Sequence, residues 1–192
     1  MIFRPFAAGL CLFLMGCGST PQPRLYALSA APAPAVATSD LSVSVGPVSV
    51  PAVVDRPQIV VSTGANQVRL DELNRWAAPL QDNLSEVIAA NVLGILGTPR
   101  VSAFPKVLGA DAQYRVAVEL LRFESLPGAS ALLDATWTVR RTKDRMVRTG
   151  RTSVREAVQD GSYDALVAAH SRAAGRLSED IADAIRALDA LN

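Results

Sequence analysis

The sequence predicts an α/β domain: a mixed, largely antiparallel sheet with two major helices packed on it, preceded by a cleaved signal and an extended tether. Three observations predict it. Short apolar stretches of period two recur between residues 41 and 156, two long stretches of helical period lie at 76–95 and 166–188, and turn residues separate them. The length of 192 residues suits one modest folded unit, and no internal repeat is evident. At 49% hydrophobic and 19% charged, with a formal charge of +1, the chain is too apolar for disorder and too nearly neutral for a general polyanion binder.

The first segment reads as an address. Arg4 is followed by an apolar run from Ala7 to Met15, the plan of a secretory signal and too short to span a bilayer, which takes ~20 residues. Leu14-Met15-Gly16-Cys17 resembles the bacterial lipobox, in which the cysteine receives a diacylglycerol thioether, becomes the first mature residue and is N-acylated. The division expected is therefore 1–16 signal peptide, 17–39 lipidated Pro/Ala-rich tether and 40–192 folded domain. An ordinary secretory signal with Cys17 as an incidental thiol is the alternative. Gly18, where an inner-membrane retention signal would place Asp, resembles the outer-membrane-directed class. Two or three acyl chains hold a protein durably where one does not. Loss of Arg4 leaves 18 basic against 18 acidic residues, so charge is not the main tether.

Pro21, Pro23, Pro32 and Pro34 favour an extended spacer that lets the domain stand off its anchor by a few tens of ångströms, at about 3.1 Å per residue. Within it, Arg24-Leu25-Tyr26-Ala27-Leu28 is an apolar island expected to dock on its own domain. Leu41, Val43 and Val45 alternate as a first strand, which Pro47 should end or push to an edge. Gln58–Ser62 and Gln67–Leu70 form a hairpin about Gly64-Ala65-Asn66. A turn over Asp71–Ala77 then leads into a helix whose apolar face runs Trp76, Leu80, Leu84, Val87, Ile88, Asn91 and Ile95, ended by Gly97 and Pro99. Arg100–Phe104 is a short strand, and Gln113–Phe123 a central one covered partly on both faces. Ala131–Arg141 and Met146–Glu156 make the clearest hairpin. Ser162 caps the terminal helix, along which Leu166, His170, Ala173, Leu177, Ile181 and Leu188 trace the apolar stripe.

The devices of catalysis are missing from this reading. The single histidine, His170, lies on the apolar side of a helix with no nucleophile elbow in the sequence, and is expected to be packed. Asp71-Glu72 and Glu179-Asp180 read as solvated helix-surface charge rather than as a glycosidase pair. Neither phosphate-binding glycine motif occurs. Cys11 and Cys17 with one histidine build no disulfide framework or zinc site. The strongest charge feature is Arg140, Arg141, Lys143, Arg145, Arg148, Arg151 and Arg155. It reads either as a solvated hairpin that resists edge pairing or, through Arg145 and Arg148, as a surface for an acidic protein or anionic headgroups. Alternation along a strand should separate Arg145, Arg151 and Arg155 from Arg140 and Arg148.

The blocks Val45-Gly46-Pro47-Val48, Pro51, Asp55-Arg56-Pro57-Gln58-Ile59-Val60, Arg75-Trp76-Ala77 and Pro79-Leu80, together with the lipobox and the Tyr26-Ala27-Leu28 island, resemble the ABC-type transport auxiliary lipoproteins, the PqiC family. The resemblance is close over the first half of the mature chain and matches mainly in layout beyond it. It implies an α/β sandwich anchored to the outer membrane through Cys17. It also implies an MCE-domain protein as partner, with an associated permease and ATPase, in transport of lipids or other hydrophobic molecules between membranes. No catalytic residue carries over, and the one modification expected is N-acyl diacylglycerol on Cys17, with no cofactor and no metal. Pro47, Pro51 and Pro57 restrict the loop that carries Asp55 and Arg56; with Arg75 from the later block it can dock a partner, Asp55 pairing with Arg56, Arg75 or nearby backbone N–H groups. Export leaves nucleic acid out, and self-association stays open. Two other readings are a direct lipid carrier with its own cavity and an envelope hydrolase.

Overall fold

A computed structural model describes residues 21–32, 39–105 and 111–191. The signal segment, with Cys17, lies outside them. The described chain forms β1 (Arg24–Tyr26), β2 (Val43–Ser49), β3 (Gln58–Gly64), β4 (Gln67–Trp76), α1 (Leu80–Leu96), β5 (Val101–Ala103), β6 (Tyr114–Leu126), β7 (Ser130–Arg141), β8 (Val147–Ala157) and α2 (Tyr163–Asp189). The α/β class and the two major helices are as expected, but the strands divide between two sheets. One has three strands in the order β1-β4-β3, the other five in the order β5-β2-β6-β7-β8.

The long antiparallel ladder β6-β7-β8 follows from period-two patterning and short turns. Its helix-side face carries Val116, Val118, Leu120, Ala131, Leu133, Ala135 and Val139, all buried. The β6–β7 register slips between Leu120 and Arg122, so inward positions change from even to odd and Phe123 and Ser125 become buried. A bulge of one residue does this because the side-chain period is two. The opposite face of β6 was expected to be partly covered; instead Arg115, Ala117, Glu119 and Leu121 are exposed, and this sheet is covered by helices on one side.

Both helices bury their stripes on that sheet and against each other, α1 over β2 and β5, α2 over β6, β7 and β8. Ser162 caps α2 by accepting from the Ala165 N–H at 3.1 Å, satisfying one of its orphan donors. Alanines at 169, 173, 174 and 182 are fully buried, which lets α2 lie close to its neighbours.

Pro47 does not end its strand, but it lies where β5 has already stopped, so its outer side is an edge as expected. β2 continues to Ser49 between β5 and β6, parallel to both, and its register against β6 shifts between Val45 and Val48. Pro47 falls in this bulge, opposite no residue of β6 and past the end of β5, so its missing N–H costs no ladder bond. Gly46 has φ +124°, and a Cβ there would meet the Phe104 Cβ at 2.8 Å, so glycine suits both the backbone and the close approach. Asp71–Trp76 is strand rather than helical turn. The Trp76 N–H donates to Pro57 O at 2.7 Å, and its ring meets Phe123 edge-on at 6.2 Å. Trp76 matched the helical period by position, yet the helix starts only at Leu80, after Pro79.

Candidate functional site

The apolar island of the tether is part of the fold. β1 pairs in parallel with the end of β4, Arg24 opposite Asn74 and Tyr26 opposite Trp76. The chain then crosses the outer side of the two helices. Leu28 N–H donates to Asn83 Oδ1 at 2.7 Å, Ser29 N–H to Ser171 Oγ at 3.1 Å and Ala31 N–H to Asn91 Oδ1 at 2.8 Å. Leu28 is only 5% exposed. Asn91 also donates to Ser178 Oγ on α2 at 3.4 Å, joining strap and both helices. Residues 24–31 thus form a surface strap, paired with β4 at its start and held by helix side chains that accept from three of its N–H groups, at 28, 29 and 31. The spacer expected over 17–39 is shortened accordingly.

A polar network fixes the start of the strap. Asp71 on β4 accepts from Tyr163 OH at 2.6 Å, from the Leu73 and Asn74 N–H groups at 3.0 Å each and from Arg69 at 3.2 Å. Tyr26 OH donates to Asn74 Oδ1 at 2.9 Å, and the Tyr26 and Tyr163 rings lie 5.9 Å apart. Burial by itself would raise the Asp71 carboxyl, but these hydrogen bonds outweigh it and hold it at about 2. Burial, then the Asp71 charge, pushes the Tyr163 hydroxyl up to about 12. The network ties β1, β4 and the first turn of α2. Asp71 was expected on a helix surface, and nothing in a linear reading signals Tyr163 as its donor. Asn91 did carry a sequence signal, a polar residue on an apolar helical face.

The two proposed partner surfaces lie apart. Asp55 is exposed and its carboxylate has no hydrogen bond or ion pair among the described residues; only its N–H is engaged, by Pro51 O at 3.2 Å. Arg56 is half-buried, donates to Ala52 O at 3.5 Å and leaves its buried Nε without a partner. Pro57 accepts from Trp76, while Arg75 pairs with Glu72 at 3.0 Å rather than with Asp55. Arg145 and Arg148 are exposed at the β7–β8 turn, beyond the opposite end of the five-stranded sheet. The eleven paired positions of β7 and β8 span roughly 35 Å at about 3.3 Å per residue.

The basic cluster is broken up further by the fold. Arg140, Arg151 and Arg155 share the open face of the sheet, and Arg148 points to the helix side opposite Val139, so the expected grouping of Arg140 with Arg148 does not hold. Arg141 is buried, donating to Leu188 O at the end of α2 at 2.5 Å and to Asp144 at 2.6 Å. Arg151 makes a two-point contact with buried Asp134 at 2.6 and 2.8 Å, which holds that carboxyl below its ordinary range.

His170 is fully buried. Its ring stacks on Phe123 at 3.9 Å, Nε2 shares a hydrogen bond of 2.8 Å with Ser125 Oγ, and Nδ1 has no partner. Burial lowers its pKa to about 3, so it is a neutral core imidazole. A serine–histidine contact without an orienting acid, closed to solvent, is poorly placed for nucleophilic work. Among the described residues no group of three or more His, Cys, Asp or Glu stands together to hold a metal. An open groove of about 690 Å³ lies between the β3–β4 hairpin and the β6–β7 turn. Val53, Val54, Val60, Phe123 and Leu126 line it together with polar residues that include Gln67, Arg122, Glu124 and Arg155.

The sequence model of the ABC-type transport auxiliary lipoprotein component family matches residues 26–182, from the strap to the last turns of α2. The chain belongs to this family. The match begins at Tyr26, within the strap. Two solved structures share the fold. An uncharacterised protein is 20% identical over 85% of this chain and 99% of its own, with a TM-score of 0.71. A Xanthomonas campestris protein of the DUF330 family is 19% identical over 82% and 92%, with a TM-score of 0.64. No curated protein sequence gives a significant match. No described helix is long and apolar enough to cross a membrane.

Proposed function

We propose that this auxiliary lipoprotein is the noncatalytic, outer-membrane-anchored subunit of an MCE/ABC-type system that moves lipids between membranes. Acylated Cys17 holds it to the periplasmic leaflet, and the folded domain receives the MCE-domain partner, with the permease and ATPase on the inner-membrane side. The observation that carries the reading is the family match over nearly the whole described domain. The lipobox upstream supports the anchor, and the buried, neutral His170 supports a role without bond-breaking chemistry. Docking is assigned to the loop of Asp55, Arg56 and Pro57 with Arg75, where Asp55 and Pro57 are exposed, or to the exposed Arg145–Arg148 turn.

Affinity purification of the full chain from a detergent extract tests this. Recovery of an MCE-domain protein with the wild type is expected, and a clean preparation containing none overturns the assignment. Cys17→Ala is expected to leave an unprocessed precursor without lipid. A lipid-modified terminus unchanged in mass would refute the anchor.

The groove beside Phe123 favours a second reading, a domain that itself carries a lipid. Its volume of about 690 Å³ compares with pockets that hold small ligands. Native mass spectrometry separates the two, since a carrier copurifies with stoichiometric lipid beyond that on Cys17.

A further inference from the structure

The strap fixes how the domain meets its membrane. Seven residue steps separate Cys17 from Arg24. Fully extended they span at most about 25 Å, at ~3.3–3.6 Å per residue. The anchor therefore leaves from the β1–β4 edge of the small sheet, beside the Asp71–Tyr163 network at the start of α2. At 1.5 Å per residue the 27 residues of α2 carry its far end, with Arg141 and the Arg145 turn, roughly 40 Å away.

Exposed apolar side chains gather on the same sheet. Leu25 on β1 is 63% exposed and Leu73 on β4 45%, whereas Val68, farther along β4, lines the groove beside Phe123. Leu73 is next to Asn74, the partner of Arg24, so it and Leu25 flank the point where the tether joins the domain. Arg24, exposed beside them, has no acidic partner among the described residues. Large exposed leucines beside a short tether have a physical use that scattered ones lack. A linker of this length keeps its surroundings at an effective concentration on the order of millimolar, so a weak apolar contact becomes occupied.

We propose that the β1–β4 edge of the three-stranded sheet is the membrane-facing surface of the domain, with Leu25 and Leu73 seated in the lipid headgroup layer and the Arg145 turn held away from it. This rests on acylation of Cys17. It leaves the Arg145–Arg148 end facing the periplasm, within reach of a protein rather than of headgroups.

The test uses the full chain, purified with its native terminus and reconstituted into phosphatidylethanolamine/phosphatidylglycerol vesicles. Nitroxide labels are placed one at a time through Leu25→Cys, Leu73→Cys, Arg145→Cys and Leu191→Cys. Collision with oxygen and with a water-soluble nickel chelate is measured for each, and the mass of the N-terminal peptide is taken from the same samples. Labels at 25 and 73 are expected to be several-fold more accessible to oxygen and less accessible to nickel than those at 145 and 191. Equal, water-like accessibility at all four on a protein whose terminus carries lipid overturns the proposal and leaves the anchor standing. An unmodified terminus removes the anchor and the proposal with it.

Discussion

Acid should weaken this protein through one buried imidazole before any carboxylate takes part. His170 has an ordinary value of 6.5 and is depressed to about 3 in the folded chain by burial. The unfolded chain therefore takes up the proton first. Stability is whole above about 6.5 and is lost progressively as pH falls toward about 3, at about 1.4 kcal/mol per pH unit. Between about pH 7 and about pH 5 the loss works out at about 2 kcal/mol, a large share of a typical domain's ~5–15 kcal/mol. Asp71, Asp134, Asp144 and Asp160 are all held below their ordinary range and titrate beneath this window. Urea titrations followed by the fluorescence of Trp76 and Trp137 measure the effect. The control is His170→Leu combined with Ser125→Ala, which removes the imidazole without stranding its hydroxyl partner. The wild type should lose about 2 kcal/mol across the window and the double variant almost nothing. A wild-type midpoint that does not move between these pH values would refute the account of His170 as a buried neutral group.

Gly150→Ala should lower the thermal midpoint sharply. The new Cβ would lie 2.2 Å from the Trp137 ring, whose N–H is held by Thr152 at 3.0 Å, and overpacking of this kind costs about 1–3 kcal/mol. Leu28→Ala removes the strap's buried anchor, for which core truncations cost about 2–5 kcal/mol. Its signature is faster tryptic cleavage at Arg24, with the Trp76 and Trp137 unfolding midpoint less affected than the cleavage rate. Asp55→Arg and Arg145→Glu sit at opposite ends of the fold, so only one should diminish recovery of the MCE-domain partner in affinity purification; equal loss from both would argue against a single docking surface.

Most elements were legible in the sequence because each depends on near neighbours. The β7–β8 hairpin, the Ser162 cap and the stripe of α2 follow from turn chemistry and period, which act over a few residues. The errors came where distant segments decide. Trp76 has the right spacing for a helix, yet pairing near Pro57 draws it into β4. Pro47 should interrupt a strand, but a bulge against β6, far along the chain, lets the strand run on past it. Arg141 looks like one of seven surface cations until the last carbonyls of α2 arrive beside it.

From the sequence by itself came the α/β class, the succession of strands and helices, the resemblance to a lipobox at Cys17 and the packed character of His170. Local propensity and periodicity encode which face of an element is buried, and short motifs encode processing. Tertiary structure alone decided that the strands split into two sheets and that the tether becomes a strap over both helices. It also decided that Asp71 meets Tyr163 and that the two candidate docking surfaces stand at opposite ends. These arrangements depend on contacts between residues as many as 142 positions apart, as for Ser29 and Ser171. Periodicity states that a face must be covered and is silent on which distant segment covers it.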